Sequence, residues 1–273
     1  MREQSDPGQV QHAIDTSVPH PARRYNYWLG GKDNFAADRA SGDQIAAAWP
    51  SIRTAAIENR GFLKRVTTFL TAEVGIRQFL DIGTGLPTAD NTHEVAQAVA
   101  PDTRVVYVDN DPMVGVHARA LMTSTPQGAT AYLEADLREP EAILRHPDLA
   151  RTLDLGRPVA LMLIAVLHFV RDLDEVTRIV RRLVSALPSG SHVATTNATK
   201  DFLSPEGAAA YDALLAAGRL DVFPRSRQEI AEIFAGLEAV EPGIVPVSEW
   251  RAGGGDHPDP ADVSVLAAVY RVP

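Results

Sequence analysis

The stretch Phe79-Leu80-Asp81-Ile82-Gly83-Thr84-Gly85 decides how this chain folds. An apolar strand runs into an aspartate and then into two glycines one residue apart. Pro87-Thr88-Ala89 then open a stretch with helical character. Strand, Gly-x-Gly turn and helix is how a doubly wound α/β sheet presents backbone N–H groups to a nucleotide-like ligand. Glycine permits the sharp turn and lets a ligand approach without meeting a Cβ. Asp81 is the more telling residue. A carboxylate there repels a pyrophosphate and attracts an ammonium group, directly or through water. Its plainer role is to bond backbone N–H groups of its own turn. In a dinucleotide fingerprint the third glycine would fall at Thr88, so the match to a nicotinamide-binding turn is loose.

Working outward, strand and helix alternate. Strands are expected over residues 78–82, 104–108, 129–134, 158–166 and 191–197. Helices are expected over 89–100, 112–124, 141–151 and 172–187, with Asp111 capping the second of them. Further helices over 205–217 and 227–234 precede strands over 240–247 and 263–272, which are joined by a glycine-rich loop over 251–260. Two strands joined without a helix pair most simply as an antiparallel edge. Upstream, 36–49 and 51–74 read as helices; in the second, Ile52, Ala55, Ala56, Phe62, Leu63, Val66 and Leu70 recur at helical spacing. The expectation is an α/β, doubly wound, mostly parallel seven-stranded sheet with an N-terminal helical cap. Residues 1–18 are expected to be mobile, 19–75 to form the cap or lid, and 76–273 the core, as one structural domain.

Bulk composition narrows the function. A formal net charge of -9 weighs against a general nucleic-acid binder. The chain has no cysteine, which rules out disulfides, thiolate metal sites and cysteine nucleophiles. The histidines show no metal-ligand spacing, so no metal site is expected. Residues 1–18 lack the apolar core of a signal peptide. The longest apolar run, 158–170, is broken by His168 and too short to span a bilayer. A cytoplasmic protein without a membrane partner is expected.

In such a sheet ligands sit outside the carboxyl ends of the strands. Asp109 ends the second strand, 24 residues after Gly85, where a carboxylate can accept both hydroxyls of a ribose. A helix cap is its other possible role, although Asp111 can fill that one. Asp136 follows the third strand, where a carboxylate can accept from an adenine amino group while the next backbone N–H donates to the ring. Its alternative is a turn residue beside Arg138. His168 ends the fourth strand, where a neutral imidazole could take a proton from an acceptor or position it. Its plainer role is to shape the pocket or bond a backbone group.

Three segments, Leu80-Asp81-Ile82-Gly83-Thr84-Gly85, Val106-Tyr107-Val108-Asp109 and Glu134-Ala135-Asp136-Leu137, resemble the first three motifs of class I S-adenosylmethionine (SAM) dependent methyltransferases. Ala165-Val166-Leu167-His168-Phe169-Val170 resembles the fourth-strand segment of their small-molecule branch, and the terminal antiparallel strands fit the same fold. More narrowly, residues 22–39, Ala22-Arg23-Arg24-Tyr25-Asn26-Tyr27-Trp28-Leu29-Gly30-Gly31-Lys32-Asp33-Asn34-Phe35-Ala36-Ala37-Asp38-Arg39, resemble the opening signature of an actinobacterial S-adenosyl methyltransferase family. That family was formerly a domain of unknown function. The resemblance runs from about residue 17 to the C-terminus.

The resemblance implies SAM as cofactor and methyl transfer to the oxygen or nitrogen of a small organic acceptor. It places the cofactor across Asp81, Gly83, Thr84, Gly85, Asp109, Asn110, Asp136 and Leu137. The opening segment is expected to fold back as a lid. Its aromatics, Tyr25, Tyr27, Trp28 and Phe35, could face the sulfonium. Gly30 and Gly31 would let the backbone approach the cofactor, and Arg24 or Lys32 would hold the methionine carboxylate. The competing view makes these aromatics staples for the cap. Two rival functions are a nicotinamide-dependent oxidoreductase and a non-catalytic protein that binds SAM or its product.

Overall fold

The computed structural model describes residues 14–121 and 123–273, so most of the expected mobile segment lies outside the described residues. Three helices come first: α1 (Pro21–Trp28), α2 (Ala36–Ala48) and α3 (Ile52–Ala72). The alternating core follows as β1 (Gln78–Ile82), α4 (Thr92–Val99), β2 (Arg104–Asp109), α5 (Pro112–Leu121), β3 (Ala129–Glu134), α6 (Pro140–Leu144), α7 (Pro147–Thr152) and β4 (Ala160–Ile164). Then come a short 3-10 turn (Leu167–Phe169), α8 (Leu173–Val184), β5 (His192–Ala198), α9 (Pro205–Ala216) and α10 (Arg227–Ile233). The chain ends with β6 (Glu238–Ala239), β7 (Val245–Pro246), α11 (Pro260–Val263) and β8 (Val265–Arg271).

The sheet order is β3-β2-β1-β4-β5-β8-β6, and β7 also pairs with β8. β1 to β5 run parallel, and β8 enters antiparallel to β5. β6 and β7 lie along the same edge of β8, so the eight strands fill seven positions. Of the single strand expected over 240–247, residues 245–246 alone are in a strand, as β7, and β6 falls just before the expected range. Between them fall Pro242, which has no N–H for the ladder, and Gly243 at φ +82°.

Strand periodicity sorts the core. Phe79, Val105, Tyr107, Ala160, Met162, Ala267 and Val269 face one layer with Phe62, Val66 and Leu70 of α3. Leu80, Ile82, Val106, Val108, Leu161, Leu163, Leu266 and Ala268 face the other, with Val176, Ile179, Val180 and Leu183 of α8. Phe62, Val66 and Leu70 are fully buried. At roughly 1.5–3 kcal/mol each, they anchor α3 across the sheet.

Three departures from the expected helices stand out. The helix expected over 141–151 is split, because Pro147 starts α7 and cannot continue α6. α4 begins at Thr92, since Asp90 sits at φ 59° and Asn91 with Glu94 forms a capping box. α1 was not anticipated. It starts on the side chain of His20, which accepts from Ala22 N–H, with Pro21 in the first turn.

Candidate active site

The strand order reverses between β1 and β4, and the cleft at their carboxyl ends is the topological switch point. A cavity of about 410 Å³ lies there, roofed by α1 and α3. That is within the usual size of a small-molecule site.

The glycine turn forms its floor. Gly83 and Gly85 sit at φ +76° and +67°, where other residues are strained. A Cβ on Gly83 would also strike Val166 at 2.3 Å. Gly83 and Thr84 donate to Val108 O, and Gly85 N–H donates to Asp109 Oδ2 at 2.8 Å. The other oxygen of Asp109 accepts from Asp111 N–H at 3.0 Å. Asp111 does cap α5, accepting from Met113 N–H. Burial raises the pKa of Asp109, while those two N–H bonds oppose the rise.

Asp81 is buried and accepts from Thr92 Oγ1 at 2.6 Å. Desolvation pushes its pKa up to about 6, with Thr92 and the Arg60 guanidinium pulling the other way. It lines the cavity and makes no bond to its own turn. Beside it stand two residues that sequence reasoning missed, Asn59 and Arg60 of α3. Asn59 donates to Tyr25 Oη, but its buried Oδ1 has no partner. Arg60 donates to the carbonyls of Ala89 and Asp90. Asn59 falls on the apolar stripe of α3, and that polar interruption was the available signal.

On the far rim, Asp136 accepts from Asn110 Nδ2 at 3.1 Å and from Arg138 N–H at 2.8 Å. Leu137 is buried and, like Asn110 and Asp136, lines the cavity.

The opening segment divides. Tyr25, Asn26, Trp28 and Leu29 line the cavity; Tyr27, Gly30, Gly31 and Lys32 do not. Tyr27 donates to Asp43, and Arg53 covers its ring. Gly30 and Gly31 end α1, and a Cβ on Gly31 would overlap the Asn26 side chain. Asn26 Oδ1 in turn accepts from Asp33 N–H and Asn34 Nδ2. Lys32 is exposed. Arg24 is buried with its Nη2 on Asp221, and it does not line the cavity. Phe35 packs by Leu86 and Met113 under the Arg23 guanidinium.

Charge fastens this cap to the sheet. Arg23 Nε donates to Asp111 Oδ2 at 3.0 Å. Asp38, wholly buried, accepts from His20 N–H and Phe35 N–H.

His168 closes the opposite wall. Its Nδ1 accepts from Ala198 N–H at 3.3 Å, the backbone role weighed in the sequence. Burial, with a smaller push from Arg225, lowers its pKa to about 3. The segment 221–223 packs against it, with Phe223 N–H donating to His168 O at 2.7 Å.

A mostly parallel sheet, a glycine-turn cavity at its switch point and an antiparallel last strand define a Rossmann-like methyltransferase. The sequence matches the family model described as S-adenosyl methyltransferase over residues 7–273. The fold is similar to a DUF574 family protein from Streptomyces avermitilis: 46% identity, TM-score 0.88, covering 96% of this chain and 100% of that one. It is also similar to a candidate methyltransferase from Thermobifida fusca YX: 42% identity, TM-score 0.85, covering 95% and 97%. No curated protein sequence matches the chain. The chain belongs to the S-adenosyl methyltransferase family, and SAM is its cofactor.

Proposed function

We propose that this enzyme transfers the methyl group of SAM to a small organic acceptor, with the cofactor lying along the rim of β1, β2 and β3. Asp81, Asn59 and Arg60 would take its amino-acid end, Asp109 its ribose, and Asp136 with Leu137 its adenine. Gly83, Thr84, Gly85 and Asn110 would lie against it. The observation that carries this is the unsatisfied polar capacity of one continuous cavity. Asn59 Oδ1 is buried without a donor, and Asp81 is a buried carboxylate whose bond is to Thr92. Each oxygen of Asp109 holds one N–H and keeps a lone pair for a hydroxyl. An ammonium answers Asn59 Oδ1 and Asp81, and a ribose diol answers Asp109.

When bound, SAM supplies an electrophilic methyl carbon on a positively charged sulfur. The protein's own part is placement and exclusion of water. Tyr25, Trp28 and Leu29 cover the cavity from above, and the His168 wall faces the acceptor. Among the described residues no helix is long and apolar enough to cross a membrane, and no acidic or histidine cluster could hold a metal ion. A cytoplasmic enzyme acting without a metal is our reading.

Calorimetry with S-adenosylhomocysteine (SAH) and with NAD tests the cofactor assignment. Binding of one SAH per chain without NAD binding is expected, and tight binding of NAD alone would overturn it.

A further inference from the structure

The wall formed by His168, Ala198 and the segment 221–223 constrains what the enzyme methylates. Ala198 N–H occupies the lone pair of His168 Nδ1. The neutral ring must then carry its proton on Nε2. Among the described residues Nε2 has no hydrogen-bond partner, while His168 is 8% exposed and lines the cavity. Burial, with a smaller push from Arg225, keeps the ring neutral. The Arg225 guanidinium donates to Leu167 O and Val170 O on either side of it. His168 therefore presents a fixed N–H to the cavity and has no lone pair to offer.

The other proton-accepting group on this wall is Asp221. Its Oδ2 is paired with the buried Arg24, and its Oδ1 is buried without a donor. It serves as the counter-ion of a buried guanidinium. Tyr25 Oη is engaged as well, donating to Ala56 O and accepting from Asn59. An acceptor placed here must arrive with a free lone pair.

Building on the SAM assignment above, we propose that His168 binds the acceptor through Nε2–H and that the acceptor is a planar ring bearing an acidic, ionised hydroxyl, a phenolate or enolate. Lone-pair counting selects oxygen. A ring nitrogen that accepts from His168 has no second pair for the methyl carbon, whereas an ionised oxygen has one left. Trp28, Trp49, Phe169 and Phe223 line the cavity and suit a flat ring. The His168 N–H and the nearby sulfonium both favour the ionised form of a bound hydroxyl. The oxygen attacks the methyl carbon, the carbon–sulfur bond breaks and its electron pair stays on sulfur. An anion and a sulfonium become an ether and a neutral thioether, and no proton has to move.

The test uses SAH-saturated protein and three probes: para-nitrophenol under mildly alkaline conditions, para-nitroanisole and benzylamine. The nitrophenolate should bind, shifting its visible absorbance, and the other two should bind more weakly. His168→Phe should weaken nitrophenolate on the order of 10-fold or more, the loss expected when a hydrogen bond to a charged partner is removed. His168→Gln, which keeps a donor, should stay within a few-fold of wild type. Long-range proton–nitrogen NMR should show His168 protonated on Nε2 at neutral pH. Preference for benzylamine, equal nitrophenolate affinity in His168→Phe, or a proton on Nδ1 would each overturn the proposal. The same samples are first titrated with SAH. Failure at that step refutes the cofactor reading, whereas SAH binding without nitrophenolate binding refutes this inference alone.

Discussion

The rim of the sheet and the cap above it carry equally distinctive sequence and use it differently. On the rim, Asp81, Gly83, Gly85, Asp109 and Asp136 all line the cavity. In the cap, the conspicuous Gly30-Gly31-Lys32 lies off the cavity, and buried charges fix the segment to the sheet. Rim residues, with Asn59 and Arg60 of α3, should govern ligand affinity, and the fastenings of the opening segment should govern whether the roof exists. A distinctive motif can mark a fold's fastening as readily as its chemistry.

Substitutions should separate the two regions. The largest effect is expected at Arg23, 5% exposed and paired with Asp111. Arg23→Ala leaves a buried carboxylate without its partner and should cost about 3–5 kcal/mol in denaturant unfolding. Loss of SAH affinity without loss of stability would break the comparison. Next is Asp81→Ala, which should weaken SAH about 10- to 100-fold in calorimetry, the span of one or two charged hydrogen bonds. Stability should hold or rise, because a desolvated carboxylate is removed.

The pH dependence of Asp81 sharpens the same point. Its pKa of about 6 in the free protein exceeds the ordinary 3.8, so the folded form holds the proton more tightly. Its contribution to stability is therefore greatest below about 4 and declines as pH rises toward 6. A ligand ammonium favours the ionised form. SAH affinity should thus fall as pH drops below about 6, by up to about tenfold per unit, and flatten in Asp81→Asn. A flat profile in the wild type would place the ammonium elsewhere.

Smaller effects belong to the cap turn. Gly30 sits at φ +80° with open space around it, so Gly30→Ala should cost about 1 kcal/mol and leave SAH affinity unchanged. Lys32→Ala should change neither quantity measurably. A drop in SAH affinity with Lys32→Ala would return that lysine to the site.

What was legible in the sequence follows from range. β1 and β3 match expectation residue for residue, because short apolar runs end at Asp81-Ile82-Gly83 and at Glu134. The rim carboxylates were legible because strand ends dictate where their side chains gather. α1 was hidden because Arg23, Arg24 and Asn26 are buried in it, which erases any apolar period. The partners of those residues lie far along the chain: Arg24 meets Asp221, 197 residues on, and Arg23 meets Asp111, 88 residues on. No local pattern encodes such pairs. His168 was found by its place at a strand end, but the direction of its hydrogen bond depends on Ala198, which only the fold brings near.

A crystal structure of the SAH complex tests the central claim most directly. The account predicts the amino-acid end at Asp81, Asn59 and Arg60, the ribose on Asp109, the adenine between Asp136 and Leu137, and the sulfur turned toward the His168 wall. Adenine at Asp81, or SAH bound outside the glycine-turn cavity, would contradict it.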